Sequence, residues 1–281
     1  MPVLVTGATG RVGSRFVPRL LDHGVEARIL VRDAERAAAL QQRGAELVVG
    51  DLRDVEALER AVASVDAIVH LGAAFRGVPP EEAVAVNHTA TVEIARAALR
   101  AGVARFVLVS TNLVCGPGRG RPTLEDDEPR PSADSAYPVS KAAAERALVE
   151  LFRSEGLGLR IARLAFVYGD GDPHLRESLA WARRWPAHKR LHMVHHADVA
   201  QGLIRALRAE GVDGRAYNLA DDAPVTATEL FTLNGEDQPD PVTQALDDPW
   251  EGIVDTRRAR AELGWRPIHP SVYAARDAGA L

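Results

Sequence analysis

The sequence lacks most of the features that would place a protein outside the cytoplasm or tie it together covalently. Its 281 residues contain one cysteine, Cys115, which excludes an internal disulfide and a metal site built from several cysteines. No apolar run approaches the roughly 18 residues that a membrane span needs. The first residues, MPVLVTGATG, show neither a charged leader nor a cleavage site, so we expect no signal peptide. A formal net charge of -5 argues against a general nucleic-acid binder. We therefore expect a cytoplasmic protein whose partner is a small molecule, with no nucleic-acid or membrane partner.

What is present is a regular alternation of short apolar runs and amphipathic stretches. Such alternation predicts βαβ units, and hence an α/β fold of the Rossmann type with a doubly wound parallel sheet. The predicted strands are Val3–Thr6, Ala27–Val31, Glu46–Val49, Ala67–Leu71, Arg105–Ser110 and Leu159–Leu164, and the predicted helices are Arg11–His23, Ala34–Gln42, Val55–Ala63, Glu81–Ala101 and Tyr137–Glu155.

The pattern breaks twice. Residues 116–136 are rich in proline, glycine and charge, which predicts a surface loop. After Gly169 the regularity falls, and only helices at Leu175–Trp185 and Val199–Glu210 are predicted. We therefore expect a dinucleotide-binding domain over 1–169 and a small, mostly helical substrate lobe over 170–281, with the chain crossing back to the sheet.

The first predicted strand leads into a glycine-rich turn with glycines at 7, 10 and 13, and a helix follows. Glycines there permit a tight turn and a close approach of backbone to pyrophosphate, which the helix N-terminus attracts. The alternative is a merely tight turn. The cofactor-binding residues predicted in the turn are Gly7, Thr9, Gly10, Arg11, Val12 and Gly13.

The end of the second strand bears on which dinucleotide is bound. NAD sites place an acid there, whereas here Val31 is followed by Arg32. A guanidinium pairs well with a 2′-phosphate, so the sequence favours NADP, with Arg36 one turn further on. If Arg32 is merely solvated and Asp33 supplies the acid, NAD is favoured instead.

Two further strand ends add candidate cofactor contacts. Asp51, followed by Leu52, comes just after the third strand and is placed to accept from the adenine amino group, or else to cap the next helix. Leu71, Gly72 and Ala73 stand at the end of the fourth strand, where small residues let backbone lie against a cofactor.

Tyr137 and Lys141 are separated by four residues on one predicted helix and so share a face. An adjacent ammonium favours the phenolate, which lets Tyr137 exchange a proton with a substrate oxygen while hydride moves. A hydroxyl at the end of the neighbouring strand, Ser110 or Thr111, would stabilise charge on that oxygen. The plainer alternatives are a surface pair and strand-end capping.

Together these segments resemble the extended short-chain dehydrogenase/reductase superfamily, the NAD-dependent epimerase/dehydratase family, over about residues 1–268. The matching segments are TGATGRVG at 6–13, GDL at 50–52, HLGA at 70–73, VNHT at 86–89, VSTNLVCG at 109–116, YPVSK at 137–141, RLAFVYG at 163–169, VHHADVA at 194–200 and RAELGWRP at 260–267.

The resemblance implies a catalytic triad of Thr111, Tyr137 and Lys141. It also implies that Asn87 holds the nearby backbone close to the cofactor, and that His195 and Asp198 belong to a segment that lines the substrate lobe and caps a helix.

The sequence departs from the family at three places. Cys115 stands where the family often has tyrosine, and Val31 replaces the acid of NAD-preferring members. Only 25 residues separate Gly169 from His195, fewer than nucleotide-sugar enzymes usually have, so the lobe is trimmed.

The remaining candidates receive plainer interpretations. The histidines at 188, 192, 195 and 196 lack companion ligands, so we expect no metal site. Trp181 and Trp185 are expected to pack the lobe or an interface, and Cys115 to be a buried, inert thiol. The basic residues Arg183, Arg184, Lys189 and Arg190 are expected to form a solvated helix face, with the binding of an anionic substrate group as the alternative.

The sequence therefore predicts an NAD(P)-dependent oxidoreductase, with NADP favoured, that acts at a hydroxyl or carbonyl carbon of a small molecule. A sugar or nucleotide-sugar epimerase or dehydratase with tightly bound dinucleotide is the alternative within the same fold. A non-catalytic NADP sensor is a third reading, which the Tyr137/Lys141 pair disfavours. A homodimer through the two long helices is also expected.

Overall fold

The computed structural model describes residues 2–75, 77–238 and 245–281. Its centre is a parallel sheet of seven strands in the order β3-β2-β1-β4-β5-β6-β10. These strands are β1 (Val3–Thr6), β2 (Ala27–Val31), β3 (Glu46–Val49), β4 (Ala67–His70), β5 (Arg105–Thr111), β6 (Leu159–Leu164) and β10 (Arg215–Leu219). Four short strands lie outside it: β7 (Phe166–Tyr168), β8 (Arg190–Leu191), β9 (Met193–His195) and β11 (Val225–Thr226).

Helices cover both faces of this sheet and build most of the remainder. They are α1 (Gly13–Asp22), α2 (Ala38–Gln42), α3 (Val55–Val62), α4 (Pro80–Val84), α5 (Ala90–Arg100), α6 (Ala136–Glu155), α7 (His174–Glu177), α8 (Leu179–Ala182), α9 (His196–Arg208), α10 (Ala227–Leu233), α11 (Arg257–Glu262) and α12 (Val272–Asp277). Short 3₁₀ turns occupy Glu35–Ala37 and Asn112–Cys115, and a π-helical turn occupies Ala85–Thr89.

Two hydrophobic layers explain why the sheet is buried on both sides. Phe16 and Leu20 of α1 pack with Leu203 of α9 against one face. Leu58 of α3 and Ile94 of α5 pack against the other. The predicted Rossmann-type sheet is confirmed, and its strand order reverses between β1 and β4, the point at which such sheets form a crevice at the carboxyl ends of their strands.

The C-terminal part contains more strand than the sequence predicts. Strand β10 lies at the edge of the main sheet beside β6, with Tyr217 opposite Ala162. The polar Asn218 interrupts its short apolar run, so periodicity alone does not reveal it. The predicted helix Leu175–Trp185 is instead two short helices, α7 and α8, that meet at Ser178, whose hydroxyl donates to the Leu175 carbonyl oxygen at 2.6 Å. Such a side-chain bond competes with regular helix.

A separate small core holds this lobe together. Tyr168, Leu179, Leu230 and Phe231 are buried in it, with Val272 of the final helix. Within the described ranges, no helix combines the length and the apolar character needed to cross a membrane.

Candidate active site

The glycine-rich turn forms a tight cradle between β1 and β4. Gly7 has a φ of +68°, and a Cβ there would lie 2.7 Å from the Gly72 backbone nitrogen. A Cβ at Gly13 would lie 2.2 Å from the Gly7 carbonyl oxygen. Both contacts are with backbone, which cannot move aside cheaply, so only glycine fits. The N-terminus of α1 opens into this cradle with amide groups that have no partner inside the helix.

A buried chain of hydrogen bonds fixes the strand ends below the cradle. The Thr91 hydroxyl donates to the Asn87 carbonyl at 2.9 Å, so its oxygen accepts from His70 Nε2, also at 2.9 Å. His70 Nδ1 then accepts from the Thr6 hydroxyl at 2.8 Å, and Thr6 in turn accepts from the Gly72 amide. Burial, together with the charge of Lys141, lowers the pKa of His70 to about 3. A neutral imidazole therefore links β1, β4 and the helix that follows.

Asn87 lies in the π-helical turn and fastens the segment after β4. Its Oδ1 accepts from the Ala74 amide at 2.7 Å, and its Nδ2 donates to the Ala74 carbonyl oxygen. The same Nδ2 lies 3.0 Å from the Ser140 hydroxyl of α6. The helix predicted over Glu81–Ala101 is interrupted at this turn, as helices often are at functional sites.

Lys141 and Tyr137 lie on α6 beside the end of β5. Lys141 is completely buried, and its Nζ donates to the Val109 carbonyl oxygen at 2.7 Å. Burial lowers the pKa of Lys141 to about 8, while the nearby Glu145 carboxylate acts in the opposite direction. The Tyr137 ring meets Phe75 edge-on, with ring centroids 4.7 Å apart. The helix thus carries a phenol at the cavity wall and an ammonium beneath it.

The two candidate hydroxyls at the end of β5 differ in their surroundings. Thr111 Oγ1 accepts from the Leu113 amide at 3.2 Å and so caps the 3₁₀ turn, which leaves its own proton free to donate. Ser110 is buried, and within the described part of the chain its hydroxyl has no hydrogen-bond partner. Both residues line the same cavity as Tyr137.

Basic and acidic side chains alternate in the region beyond β2 and β3. Arg32 is exposed, whereas Asp33 accepts from the Glu35 and Arg36 amides and is occupied as a cap. The Asp51 carboxylate pairs with Arg53 at 2.9 Å, and this hydrogen bond lowers the pKa of Asp51, with a smaller contribution from Arg32.

The alternative role of Asp51, as the cap of the next helix, is wrong. Asp54 is the N-cap of α3, since its side chain accepts from the Glu56 amide at 3.0 Å.

A cavity of about 590 Å³ joins the cradle to the lobe. The predicted site residues that line it are Gly7, Gly10, Arg11, Val12, Gly13, Leu71, Ala73, Thr111 and Tyr137. The other predicted residues lie beside it: Thr9 within the turn, Gly72 and Leu52 in contact with each other, Asn87 and Lys141 behind the wall, and Arg32 and Asp51 beyond the strand ends.

The far wall of the cavity is aromatic, which the sequence interpretation missed. Trp181 and Trp185, expected to serve packing only, line the cavity with their ring centroids 4.6 Å apart. Phe166 stacks on His174 at 4.0 Å and meets Trp181 edge-on. Phe75 lies outside the matching segments, and Phe166 lies in RLAFVYG at 163–169 with no role assigned to it; the two reach one cavity only when the lobe folds over the sheet.

Two histidines of the 188–196 segment are engaged in hydrogen bonds. His192 Nε2 lies 2.8 Å from the Asp221 carbonyl oxygen, and His196 Nε2 lies 2.9 Å from the Asp172 carboxylate. His188 is exposed. The described residues contain no group of three or more potential metal ligands.

His195 faces the C-terminal segment. Its Nδ1 accepts from the Ala197 amide as the cap of α9, and its Nε2 lies 2.8 Å from the Ala280 carbonyl oxygen. His195 therefore holds the C-terminal segment against the start of α9, and it is not part of the cavity wall. Asp198 similarly accepts from the His269 amide at 3.1 Å.

The basic residues near the lobe are mostly paired, and only part of the predicted solvated face is found. Arg183 pairs with Glu236 on the surface at 2.8 Å. Lys189 lines the cavity and pairs with Glu251 at 2.7 Å, and Arg190 lies over the Trp250 ring at 4.8 Å.

Cys115 is buried, and burial raises the pKa of its thiol to about 11, as expected of an inert thiol.

One cross-link between cradle and lobe was not foreseen. Arg11 pairs with Asp172 at 3.2 Å and with Glu177 at 2.8 Å. The His196 hydrogen bond and the Arg11 charge help to lower the pKa of Asp172 to about 2, although burial acts against them. The cradle and the lobe are therefore joined by a network of ion pairs.

Comparison with known proteins places these features in a group. The model of the NAD dependent epimerase/dehydratase family matches residues 3–220. The chain is 30% identical to the 4-hydroxy-2-methyl-3-oxo-4-farnesyl-3,4-dihydroquinoline-1-oxide ketoreductase of Stigmatella aurantiaca, over 98% of this chain and 84% of the relative. It is 29% identical to the dTDP-glucose 4,6-dehydratase of Streptomyces antibioticus, over 95% of this chain and 88% of the relative.

A solved structure agrees with these sequence relatives. The UDP-glucose 4-epimerase of Thermus thermophilus, in complex with NAD, superposes with a TM-score of 0.79 at 27% identity, over 95% of this chain and 94% of that chain. Proteins similar to this chain thus include a ketoreductase, a dehydratase and an epimerase.

Proposed function

Because the chain belongs to the NAD dependent epimerase/dehydratase family, whose members here are reductases, epimerases and dehydratases, we propose that it is a reductase for a small carbonyl compound. The proposed cofactor is NADPH, and the proposed catalytic residues are Tyr137, Lys141 and Thr111. The observation that carries this proposal is the position of Tyr137 on the wall of the cavity that continues into the glycine cradle.

The cradle has room for a dinucleotide because Gly7 and Gly13 have no Cβ atoms to fill it. Side chains at Gly7 and Gly13 would collide with backbone, so the space they leave is available to a pyrophosphate at the N-terminus of α1. Asn87 and the segment after β4 would support the nicotinamide end. When bound, the dinucleotide supplies or accepts the hydride.

Tyr137 would transfer the proton that accompanies reduction. Its phenol gives a proton to the carbonyl oxygen of the substrate as that oxygen gains charge, and the proton is later replaced from solvent. Lys141, one helical turn away, favours the ionised phenol in the intermediate state. With a pKa of about 8, Lys141 carries its positive charge at neutral pH.

Thr111 would hold the substrate oxygen in place. Its proton is free to donate because the oxygen already accepts from the Leu113 amide. Ser110 is the second donor available at this strand end. Two hydroxyl donors aimed at a developing oxyanion would stabilise charge in the transition state.

The proposed preference for NADP rests on Arg32, which directly follows β2. Arg32 is exposed, Val31 is buried where an acid would be needed, and Asp33 already serves as a cap. A 2′-phosphate would therefore meet the Arg32 guanidinium at this position, beside an Asp33 carboxylate whose Oδ1 already accepts from two backbone amides.

Replacing Tyr137 with phenylalanine tests the proposal. The variant is expected to bind NADPH as the wild type does and to lose roughly 100- to 10,000-fold in turnover, the usual contribution of a positioned proton donor. Tyr273→Phe is a matched control, because the Tyr273 hydroxyl contacts Glu229 in the lobe. Full turnover by Tyr137→Phe would overturn the mechanism.

An epimerase or dehydratase is the second candidate, favoured by the likeness to the dTDP-glucose dehydratase. Such an enzyme returns the hydride and consumes no cofactor. Reductase activity changes the absorbance of the reduced-nicotinamide band in proportion to product, whereas an epimerase leaves it unchanged over many turnovers.

We also propose the division of labour and the assembly. Residues 1–169 would bind the dinucleotide and 170–281 the substrate.

Val84 of α4 and Val139 of α6 are exposed apolar residues on helices that pack together, which supports a homodimer through this face. Sedimentation of Val84→Arg as a monomer beside a dimeric wild type would support it. A reducing cytoplasm suits the single buried thiol.

A further inference from the structure

The part of the cavity beyond Tyr137 is lined by a continuous series of rings. Phe75 meets Tyr137 at 4.7 Å and His174 at 6.1 Å, and His174 stacks on Phe166 at 4.0 Å. Phe166 then meets Trp181 at 6.0 Å. The series reaches Trp185 at the far side, 4.6 Å from Trp181.

This concentration is unusual for this chain. Only 5% of its residues are Phe, Trp or Tyr, and at least five of those fourteen residues line this one cavity. The main sheet is packed largely by aliphatic side chains, so the fold itself does not call for rings here. A wall of π faces and edges is suited to another planar π system.

The positively charged side chains of the described lining residues Arg11, Lys189 and Arg190 are already engaged. Arg11 pairs with Asp172 and Glu177, and Lys189 pairs with Glu251 at 2.7 Å. Arg190 lies over the Trp250 ring and donates to the Pro249 carbonyl oxygen.

The cavity histidine His192 adds no charge. Burial lowers its pKa to about 4, and both ring nitrogens have backbone partners, the Asp221 carbonyl oxygen and the Val254 amide. Arg11, Lys189, Arg190 and His192 therefore offer no unpaired cation to a second pyrophosphate beside that of the cofactor.

We propose that the substrate is a planar aromatic ketone or aldehyde without a phosphate group, stacked on the wall formed by Phe75, Phe166, Trp181 and Trp185. Its carbonyl carbon lies toward Tyr137, where the ring series begins, and its ring system extends toward Trp185. This inference rests on the proposed reductase function, which it narrows from carbonyl compounds in general to aromatic ones. It also separates this chain from enzymes that take nucleotide sugars.

The test is a calorimetric titration of the protein saturated with NADP⁺. The two probes are 2-acetonaphthone, a two-ring methyl ketone, and UDP-glucose. The wild type is expected to bind the ketone and to bind UDP-glucose at least about 100-fold more weakly, since two phosphate contacts would go unpaired.

Leucine at position 185 keeps the site apolar and removes one ring. Trp185→Leu is expected to weaken binding of the ketone about 5- to 10-fold, the worth of one aromatic contact. Trp181→Leu is the second variant, and Phe152→Leu in α6 is the control, expected to bind as the wild type does. The NADP⁺ titration of each variant confirms that it is folded.

The outcomes separate the two proposals. Failure of the wild type to bind NADP⁺ overturns the proposed function. If NADP⁺ binds but UDP-glucose binds as tightly as the ketone, or the ketone does not bind, only the aromatic substrate class is overturned. Ketone binding that Trp185→Leu and Trp181→Leu leave unchanged overturns the ring wall as its site.

Discussion

Replacing Arg32 with alanine is expected to change which dinucleotide the protein prefers. Arg32 is exposed at the end of β2, and its charge helps to lower the pKa of Asp51, so the two side chains lie close enough to interact. A hydrogen bond to a charged group contributes about 1.5–3 kcal/mol. Because Arg32 is exposed and water screens it, the lower end of that range applies.

The expected result is a Kd for NADPH that rises about 10- to 20-fold in Arg32→Ala, by the conversion of 1.4 kcal/mol to a factor of ten. The Kd for NADH should change less than about twofold, since NADH has no 2′-phosphate to lose a partner. Both constants are measured by quenching of protein fluorescence at low and high salt, and the effect should shrink at high salt.

Two variants guard this interpretation. Arg43→Ala removes an exposed arginine that pairs with Asp22 and precedes β3, at the amino end of the strands and so opposite the end at which Arg32 lies, and should leave both affinities unchanged. Asp33→Asn tests the competing view that Asp33 holds the ribose of NAD. A wild type that prefers NADH, and loses NADH affinity in Asp33→Asn, would refute the assignment of Arg32.

Three further results are expected. Gly13→Ala puts a Cβ 2.2 Å from the Gly7 carbonyl oxygen, so it should lower the free energy of unfolding by about 1–3 kcal/mol and weaken dinucleotide binding; an unaltered urea midpoint and Kd would contradict the cradle. The pKa of Lys141 is about 8 and its charged form is the active one, so kcat/KM should fall above about pH 8. Because the Glu145 carboxylate raises this pKa, Glu145→Gln should move the fall to lower pH. A pH profile of kcat/KM that is flat to about pH 10 would count against this role of Lys141. Because His70 has a folded pKa near 3, below its unfolded 6.5, its contribution to stability is complete above pH 6.5 and is lost as the pH falls toward 3, whereas Asp221, whose pKa burial raises to about 8, acts in the opposite direction. The free energy of urea unfolding at pH 7 minus that at pH 5 should therefore be smaller in His70→Gln than in the wild type, and an equal difference in both would contradict it.

The central sheet was predictable because its strands are short apolar runs with turns between them. Six of its strands follow from periodicity, and Val3–Thr6 and Ala27–Val31 agree with the structure at both ends. The seventh, β10, was missed because Asn218 interrupts it. That asparagine is buried and donates to the Thr123 and Asp255 carbonyl oxygens, partners that lie 95 and 37 residues away. A strand stabilised by such distant contacts leaves little trace in its own sequence.

The candidate site divides in the same way. The glycine turn and the Tyr137/Lys141 spacing are local patterns, so they can be recognised in the sequence alone. The aromatic wall is not local, since Phe75 follows β4 whereas Trp181 lies in α8, and only the closure of the lobe brings them to one cavity. His195 agrees in part: it caps α9, as the resemblance implies, but its Nε2 contacts the Ala280 carbonyl oxygen and the residue does not line the cavity.

The proposed function requires net transfer of hydride from NADPH to the carbonyl carbon of the substrate, while Tyr137 gives a proton to the carbonyl oxygen. A single-turnover reaction with NADPH deuterated at the transferring position, followed by mass spectrometry of the product alcohol, measures that transfer directly. We expect one deuterium in the alcohol formed from 2-acetonaphthone, one NADP⁺ formed for each alcohol, and almost no product from Tyr137→Phe. Deuterium that stays in the cofactor, or an alcohol formed equally well by Tyr137→Phe, would contradict it.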